Sequence, residues 1–164
     1  MQAKEIIKQT LNSSQDILGM LLTDLTDLEL MVRPVPAANH IAWQLGHLVC
    51  AEIQILEKEL PRAVYPQLPA DFVSSHQENM AKSDNPAEYR SKSEYQELLQ
   101  KVRQATLANL DQMTETELDQ PTTGPLSQHA PTLAALLVLT SNHTLMHAGQ
   151  FSVVRRKLGK KVAV

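Results

Sequence analysis

The sequence predicts an all-α protein, a four-helix bundle in up-down-down-up order, and three observations carry that reading. Leu, Ala and Met supply most of the apolar residues while aromatics are only 4%, a mix that suits helices better than sheets. Apolar residues recur at helical spacing in four long stretches bounded by prolines or capping residues. One connection is short and two are long, so the chain has room to run back along the bundle between the second and third helices. At 164 residues the chain fits one domain, residues 1–164, and is long enough to bury a core.

The first stretch places Ile7, Leu11, Leu18, Leu21, Leu22, Leu25 and Leu28 on one face and predicts a helix from Ala3 to Glu29, stopped by Pro34 and Pro36. A second helix is expected from Ala38 or Asn39 to Leu60, ahead of Pro61. Residues 61–92 hold Pro61, Pro66, Pro69 and Pro86 with little periodicity. They read as a functional or crossover connection with a short helix near Ala70 to Met80. Ser93 and Gln96 suggest a capping box opening a third helix, with Tyr95, Leu98, Leu99, Val102, Leu110 and Met113 on its face. Pro131 is expected as the first residue of a fourth helix that Gly159 ends.

The net charge of -3 argues against nucleic-acid binding, which needs a clear basic excess. The basic residues Arg155, Arg156, Lys157, Lys160 and Lys161 read as a solvated helix end, where cations suit the macrodipole. The one cysteine, Cys50, excludes an intramolecular disulfide and a CxxC motif. Met1 to Thr10 lacks the apolar run of a secretory signal, and Leu133 to Leu139 is far too short to span a bilayer. A cytoplasmic protein that binds no membrane is the expectation.

His143 and His147 stand four residues apart on the fourth helix, so their rings lie one above the other on one face. They share an arc with Leu133, Leu136, Thr140, Phe151, Val154 and Leu158 and point toward the core. Imidazoles there must be hydrogen-bonded, to a hydroxyl such as Thr140 or to backbone, or ligated to a metal. His47 lies midway along the second helix, where a third ligand could meet the pair, although projection sets it at the edge of its apolar arc. Three imidazoles without a fourth protein ligand describe an open, catalytic type of site, and nitrogen ligation does not select one metal. The HExxH motif of zinc proteases is excluded, because Thr144 follows His143.

Other residues near the histidines have quieter expectations. Glu52 reads as a partly buried salt-bridge partner, Cys50 as a small buried thiol, and Gln150 as a hydrogen-bond partner for a ligand histidine or a solvated glutamine. His40 is too far from His47 to share an ion, and His76 and His129 read as solvated loop residues. Arg33, Trp43 and Phe72 are candidates for substrate contact, as are the 61–92 and 114–130 connections. A second apolar stripe on the fourth helix, with Ala135, Val138, Leu139, Leu145, Met146, Gly149 and Val153, points to a homodimer.

The run Ile41-Ala42-Trp43-Gln44-Leu45-Gly46-His47-Leu48, together with His143-x-x-x-His147-Ala148-Gly149-Gln150 and Arg155 to Lys160, resembles the DinB-like (YfiT-like) metalloprotein family. These helical bundles are unrelated to the DNA polymerase that shares the name. The similarity extends through Tyr95 to Pro121. It implies an up-down-down-up bundle, often dimeric, binding zinc, nickel or iron through His47, His143 and His147.

The resemblance leaves the reaction open, since members with known activity include thiol-dependent S-transferases and isomerases; the first expectation is an S-transferase that joins a low-molecular-weight thiol to a small electrophile, the metal depressing the thiol pKa. Metal-assisted hydrolysis of a small-molecule substrate is the related alternative. A non-enzymatic dimeric metal-binding stress or interaction protein is the other class.

Overall fold

Hydrogen bonds between the long helices fix their directions in the computed structural model, which describes residues 2–162; the expected domain limits, Met1 and Val164, lie outside the described residues. The chain folds as α1 (Ala3–Leu22), α2 (Asp27–Leu30), α3 (Ile41–Leu56), α4 (Ala70–Ser75), α5 (Lys92–Gln112), α6 (Glu115–Leu118) and α7 (Leu133–Lys157), with 3-10 turns at Glu78–Lys82 and Pro86–Glu88. Lys4 at the start of α1 donates to Met113 at the end of α5, and the Lys92 amide at the start of α5 donates to Asp27 beyond α1. These two helices are antiparallel.

Ser141 and Arg155 of α7 donate to the carbonyls of Thr10 and Leu21, so α7 runs parallel to α1. Leu45 clusters with Tyr95 and Leu56 with Leu110, which sets α3 parallel to α5, and Gln44 with His147 beside Leu56 clustered with Leu136 sets α3 antiparallel to α7. The order is up-down-down-up, as the sequence predicts, and the described residues include no strand longer than an isolated bridge, Pro121 to Thr132. No helix among them is long and apolar enough to cross a membrane.

The helix ends depart from expectation for identifiable reasons. The first helix stops at Leu22 because Thr26 opens α2 with a capping box: Glu29 N–H donates to Thr26 Oγ1, and Thr26 N–H donates to Glu29 Oε2 at 2.8 Å. The third helix starts two residues earlier than expected, capped by Ser91 with Glu94. The fourth helix, α7, begins at Leu133 rather than at Pro131, capped by Thr132, whose Oγ1 accepts the Ala135 amide. Pro131 instead offers its carbonyl to Thr122 N–H at 3.1 Å. At the other end Gly159 adopts φ 70°, a conformation costly for any residue with a Cβ, and α7 stops there.

The basic tail of α7 is not a simple solvated end. Arg155 is buried, donating to Leu21 and Lys161 carbonyls and pairing with Asp24, while Lys157 Nζ donates to Arg33 O.

Two apolar clusters form the core, and a polar layer lies between them. One cluster holds Leu18, Leu21, Leu45, Tyr95, Phe151 and Val154, the other Ile7, Leu11, Leu56, Leu110, Leu133 and Leu137. Between these levels sit Ser14 of α1, Glu52 of α3, Arg103 and Thr106 of α5, and Thr144 of α7, all buried. Arg103 donates to both Glu52 oxygens, to Leu11 O, to Ser14 Oγ and to Thr144 Oγ1, and Thr106 donates to Glu52 Oε1 at 2.7 Å. Burying two charges is tolerable only with such complete pairing. The expected salt bridge of Glu52 is thereby found, with Arg103 as its partner.

Candidate metal centre

The histidines occupy the same level of the bundle as the charged layer. One nitrogen from each of His47, His143 and His147 can be chosen so that all lie within 4.8 Å of one another. The ring centroids are 5.3 Å apart for His47 with either partner and 4.8 Å apart for His143 with His147. His147 is buried, and the other two are half-buried. From the rim of the apolar arc of α3, His47 reaches both rings of α7.

Each ring is oriented by a neighbour. His47 stacks on Trp43, centroids 4.9 Å apart and planes 11° from parallel, and Trp43 Nε1 is anchored on Gln77 O at 3.1 Å. His147 Nδ1 lies 2.7 Å from Gln44 Oε1. Gln44 Nε2 donates to Asn39 O at 2.8 Å, so Oε1 is the acceptor and His147 carries its proton on Nδ1. His147 Nε2 is then a bare lone pair, 3.1 Å from His143 Nε2.

Burial pushes the His147 imidazole down to about 3, and the neighbouring histidines push the same way. Burial also lowers His143 and His47 below the ordinary histidine value. All three rings are neutral at pH 7, the protonation state a metal requires. The nearest carboxylate, Glu52, is saturated by Arg103 and Thr106, so it offers the histidines no acceptor. Three neutral rings, each able to bring one nitrogen within 4.8 Å of the others, fit a divalent ion with an open position, the proton of His143 Nε2 that now bonds to His147 giving way to it.

Of the three histidines, His47 borders a cleft of about 910 Å³ between α3 and the 61–92 segment, where it and Trp43 meet Asn39, Cys50, His76 and Lys82. Its volume suits a small molecule. Residues of the 61–92 connection line this cleft, whereas residues 114–130 lie away from it around a separate 290 Å³ cavity with Glu59 and Gly124. Arg33 lines the cleft with its guanidinium already committed to Asp84 and to the carbonyls of Ala38, Ala81 and Ser83. Phe72 is buried behind His76. Cys50 is buried, its thiol pushed up to about 11 by burial, and remains protonated.

Several side chains differ from the sequence reading. His76 is buried rather than solvated: Nδ1–H donates to Phe72 O at 2.7 Å, and Nε2 accepts from Tyr95 OH at 2.8 Å. Its ring lies on Gly46, where an added Cβ would fall on the imidazole. His40 is buried as the cap of α3, Nδ1 accepting from Trp43 N–H and Nε2–H donating to Ser83 O. Gln150 is exposed, so the glutamine that meets a candidate ligand is Gln44. Its spacing, one turn before His47 on an apolar helix, was the available signal.

A helical bundle with a three-imidazole centre beside a small-molecule cleft defines the class of protein. The model of the DinB superfamily matches residues 10–151, and the chain belongs to that superfamily. Among solved structures, YfiT from Bacillus subtilis superposes with a TM-score of 0.68 at 18% identity, over 96% of this chain and 89% of that one. It is described as a probable metal-dependent hydrolase with an unusual four-helix bundle topology. A conserved protein from Enterococcus faecalis superposes with a TM-score of 0.66 at 21% identity, over 98% of this chain and 99% of that one. No curated protein matches the sequence significantly.

Proposed function

We propose that residues 1–164 form one cytoplasmic domain in which His47, His143 and His147 hold a zinc, nickel or iron ion, and that the protein is a metal-dependent S-transferase joining a low-molecular-weight thiol to a small electrophile. The observation that carries the reading is the convergence of three neutral ring nitrogens beside the cleft. A divalent ion there supplies Lewis acidity and lowers the pKa of a thiol or water presented to it. The chain's own residues supply placement: Trp43 holds His47 flat, Gln44 holds His147, and the cleft wall around Asn39 and Lys82 receives the substrate. Hydrolysis of a small substrate is the second reading, favoured by the description of YfiT.

Elemental analysis of tag-free protein tests the centre. Near-stoichiometric metal in the wild type and none in a His143→Ala, His147→Ala double variant is the expected result. Metal in neither, even after incubation with these ions, overturns it. A screen of thiols against electrophiles, run beside a screen of ester and amide hydrolysis, then separates the two chemistries. Thiol consumption that His147→Ala abolishes supports transfer, and hydrolysis without thiol consumption replaces it.

We further infer a homodimer through α7. Val138, Leu145, Met146 and Val153 are exposed there with Gly149 among them, an apolar strip suited to a two-fold contact. Sedimentation should give twice the chain mass of 18.3 kDa, reverting to one chain in Met146→Glu. A monomer at micromolar concentration rejects this assembly.

A further inference from the structure

The carboxamide of Gln44 is the most constrained polar group near the histidines and has no packing reason to be there. It is buried on α3, an otherwise apolar helix through Ile41, Ala42, Leu45, Leu48 and Val49. An apolar side chain would be the ordinary occupant, because a buried amide costs free energy unless each of its groups is paired. Both are paired, on opposite sides: Nε2 with Asn39 O at 2.8 Å and Oε1 with His147 Nδ1 at 2.7 Å. The Asn39 carbonyl can only accept, so it dictates which end of the amide faces α7. That end can only accept, so it dictates which nitrogen of His147 carries hydrogen.

We propose that Gln44 is a positioning residue: it sets His147 in the tautomer whose Nε2 lone pair faces His47 and His143, and so tunes the affinity of the centre for its metal. The inference rests on the metal reading above and goes beyond it in assigning the control of one ligand to one residue. Without Gln44, the neutral ring is free to place its proton on Nε2 and bond to His143 Nε2, 3.1 Å away. A proton there occupies the direction a metal needs. Partners of this kind on ligand histidines typically change metal affinity by about 10- to 100-fold. The partner is an amide rather than a carboxylate, and the Glu52 carboxylate is neutralised by Arg103. A dipositive ion in this centre therefore keeps its full charge and favours an anionic fourth ligand such as a thiolate.

Two measurements test this, one without metal. Long-range proton–nitrogen NMR of the metal-free protein should show His147 protonated on Nδ1 in the wild type and shifted toward Nε2 in Gln44→Leu. Cobalt(II) affinity, read by competition with a chromophoric chelator, should fall about 10- to 100-fold in Gln44→Leu. Gln44→Glu keeps an acceptor on Nδ1–H and should retain the tautomer and bind cobalt at least tenfold tighter than the leucine variant.

A merely structural glutamine would lower unfolding temperature in both variants without moving the tautomer or separating their affinities, and that result overturns the proposal. So does an Nε2–H tautomer in the wild type, a measurement that needs no variant to fold. Failure of the wild type to take up cobalt or zinc, with His147 still held on Nδ1, overturns the metal reading itself and removes the tuning role with it. Uptake with wild-type affinity in Gln44→Leu overturns the tuning role alone.

Discussion

The Glu52–Arg103 cluster and the histidine cluster lie at one level of the same bundle, yet their chemistry runs in opposite directions. Around Arg103 every donor meets an acceptor, and charges of opposite sign cancel. Around His147 three imidazoles face one another with no carboxylate among them, and the proton of His147 itself is drawn off to Gln44. A closed polar network explains itself as structure. Convergent imidazole nitrogens with no counter-charge are what the proposed cation would complete. Burial alone therefore does not separate a structural polar group from a functional one; the direction of its lone pairs does.

Breaking the closed network should cost the most. Glu52→Ala leaves the Arg103 guanidinium buried without its counter-ion, and denaturant unfolding should report a loss of about 3–5 kcal/mol, with melting lowered by roughly 2–4 °C for each of these. A loss below about 1 kcal/mol would mean the pair is as dispensable as one at the surface.

The histidine cluster should respond the other way. Removing His143 and His147 unpairs the buried Gln44 carbonyl and should lower metal-free stability by about 1–3 kcal/mol, while the gain from added zinc, about 2.7 kcal/mol at a concentration one hundred times the dissociation constant, disappears. Equal zinc stabilisation in both proteins would place the ion elsewhere.

The histidine outside both clusters sharpens the contrast through pH. His76 is held neutral down to about 4 against an ordinary value of 6.5, with burial the leading cause. Between these values the unfolded chain binds a proton that the folded one refuses, so stability is flat above pH 6.5 and falls as pH drops toward 4. The loss is on the order of 3 kcal/mol. His76→Phe should reduce this slope in metal-free protein without abolishing it, because His40, His47, His143 and His147 are also held down. An unchanged slope would move the acid sensitivity to those rings.

The smallest effect is expected at the helix that carries His47. Gly46→Ala drives a methyl group into the His76 ring and should cost about 1–3 kcal/mol, read by thermal melting. A stabilised variant, as expected for an ordinary helical glycine replaced by alanine, would show that the segment carrying His76 yields freely.

The four long helices, their order and the three convergent histidines were legible in the sequence because each rests on a long periodic pattern, whereas the short helices α2 and α6 were not. Local competition decided what was missed. Leu25 and Leu28 continue the spacing of α1 and hide the break, although Thr26 and Glu29 spell a capping box. Ser91 outcompetes Ser93 because its third neighbour, Glu94, returns a charged acceptor to the Ser91 amide. His76 looked solvated because composition describes the 61–92 connection but not which part of it docks on α3. Gly46 in an apolar helix and the aromatic neighbours Tyr89 and Tyr95 were the trace of that docking. Arg103 gave no signal at all: an arginine on a polar-rich helix becomes a core residue only when Glu52 arrives from another helix.

The fit of the His76 ring on the bare Cα of Gly46 bears on how this scaffold can be rebuilt. The crossover segment is keyed to the helix beneath it, and through Trp43 and Gln77 the same segment steadies His47. Grafting another connection between residues 61 and 92 to change what the cleft accepts is therefore a two-part exchange. The incoming segment must bring its own match for position 46 and its own anchor for the indole, or the new pocket will arrive with a misplaced first ligand.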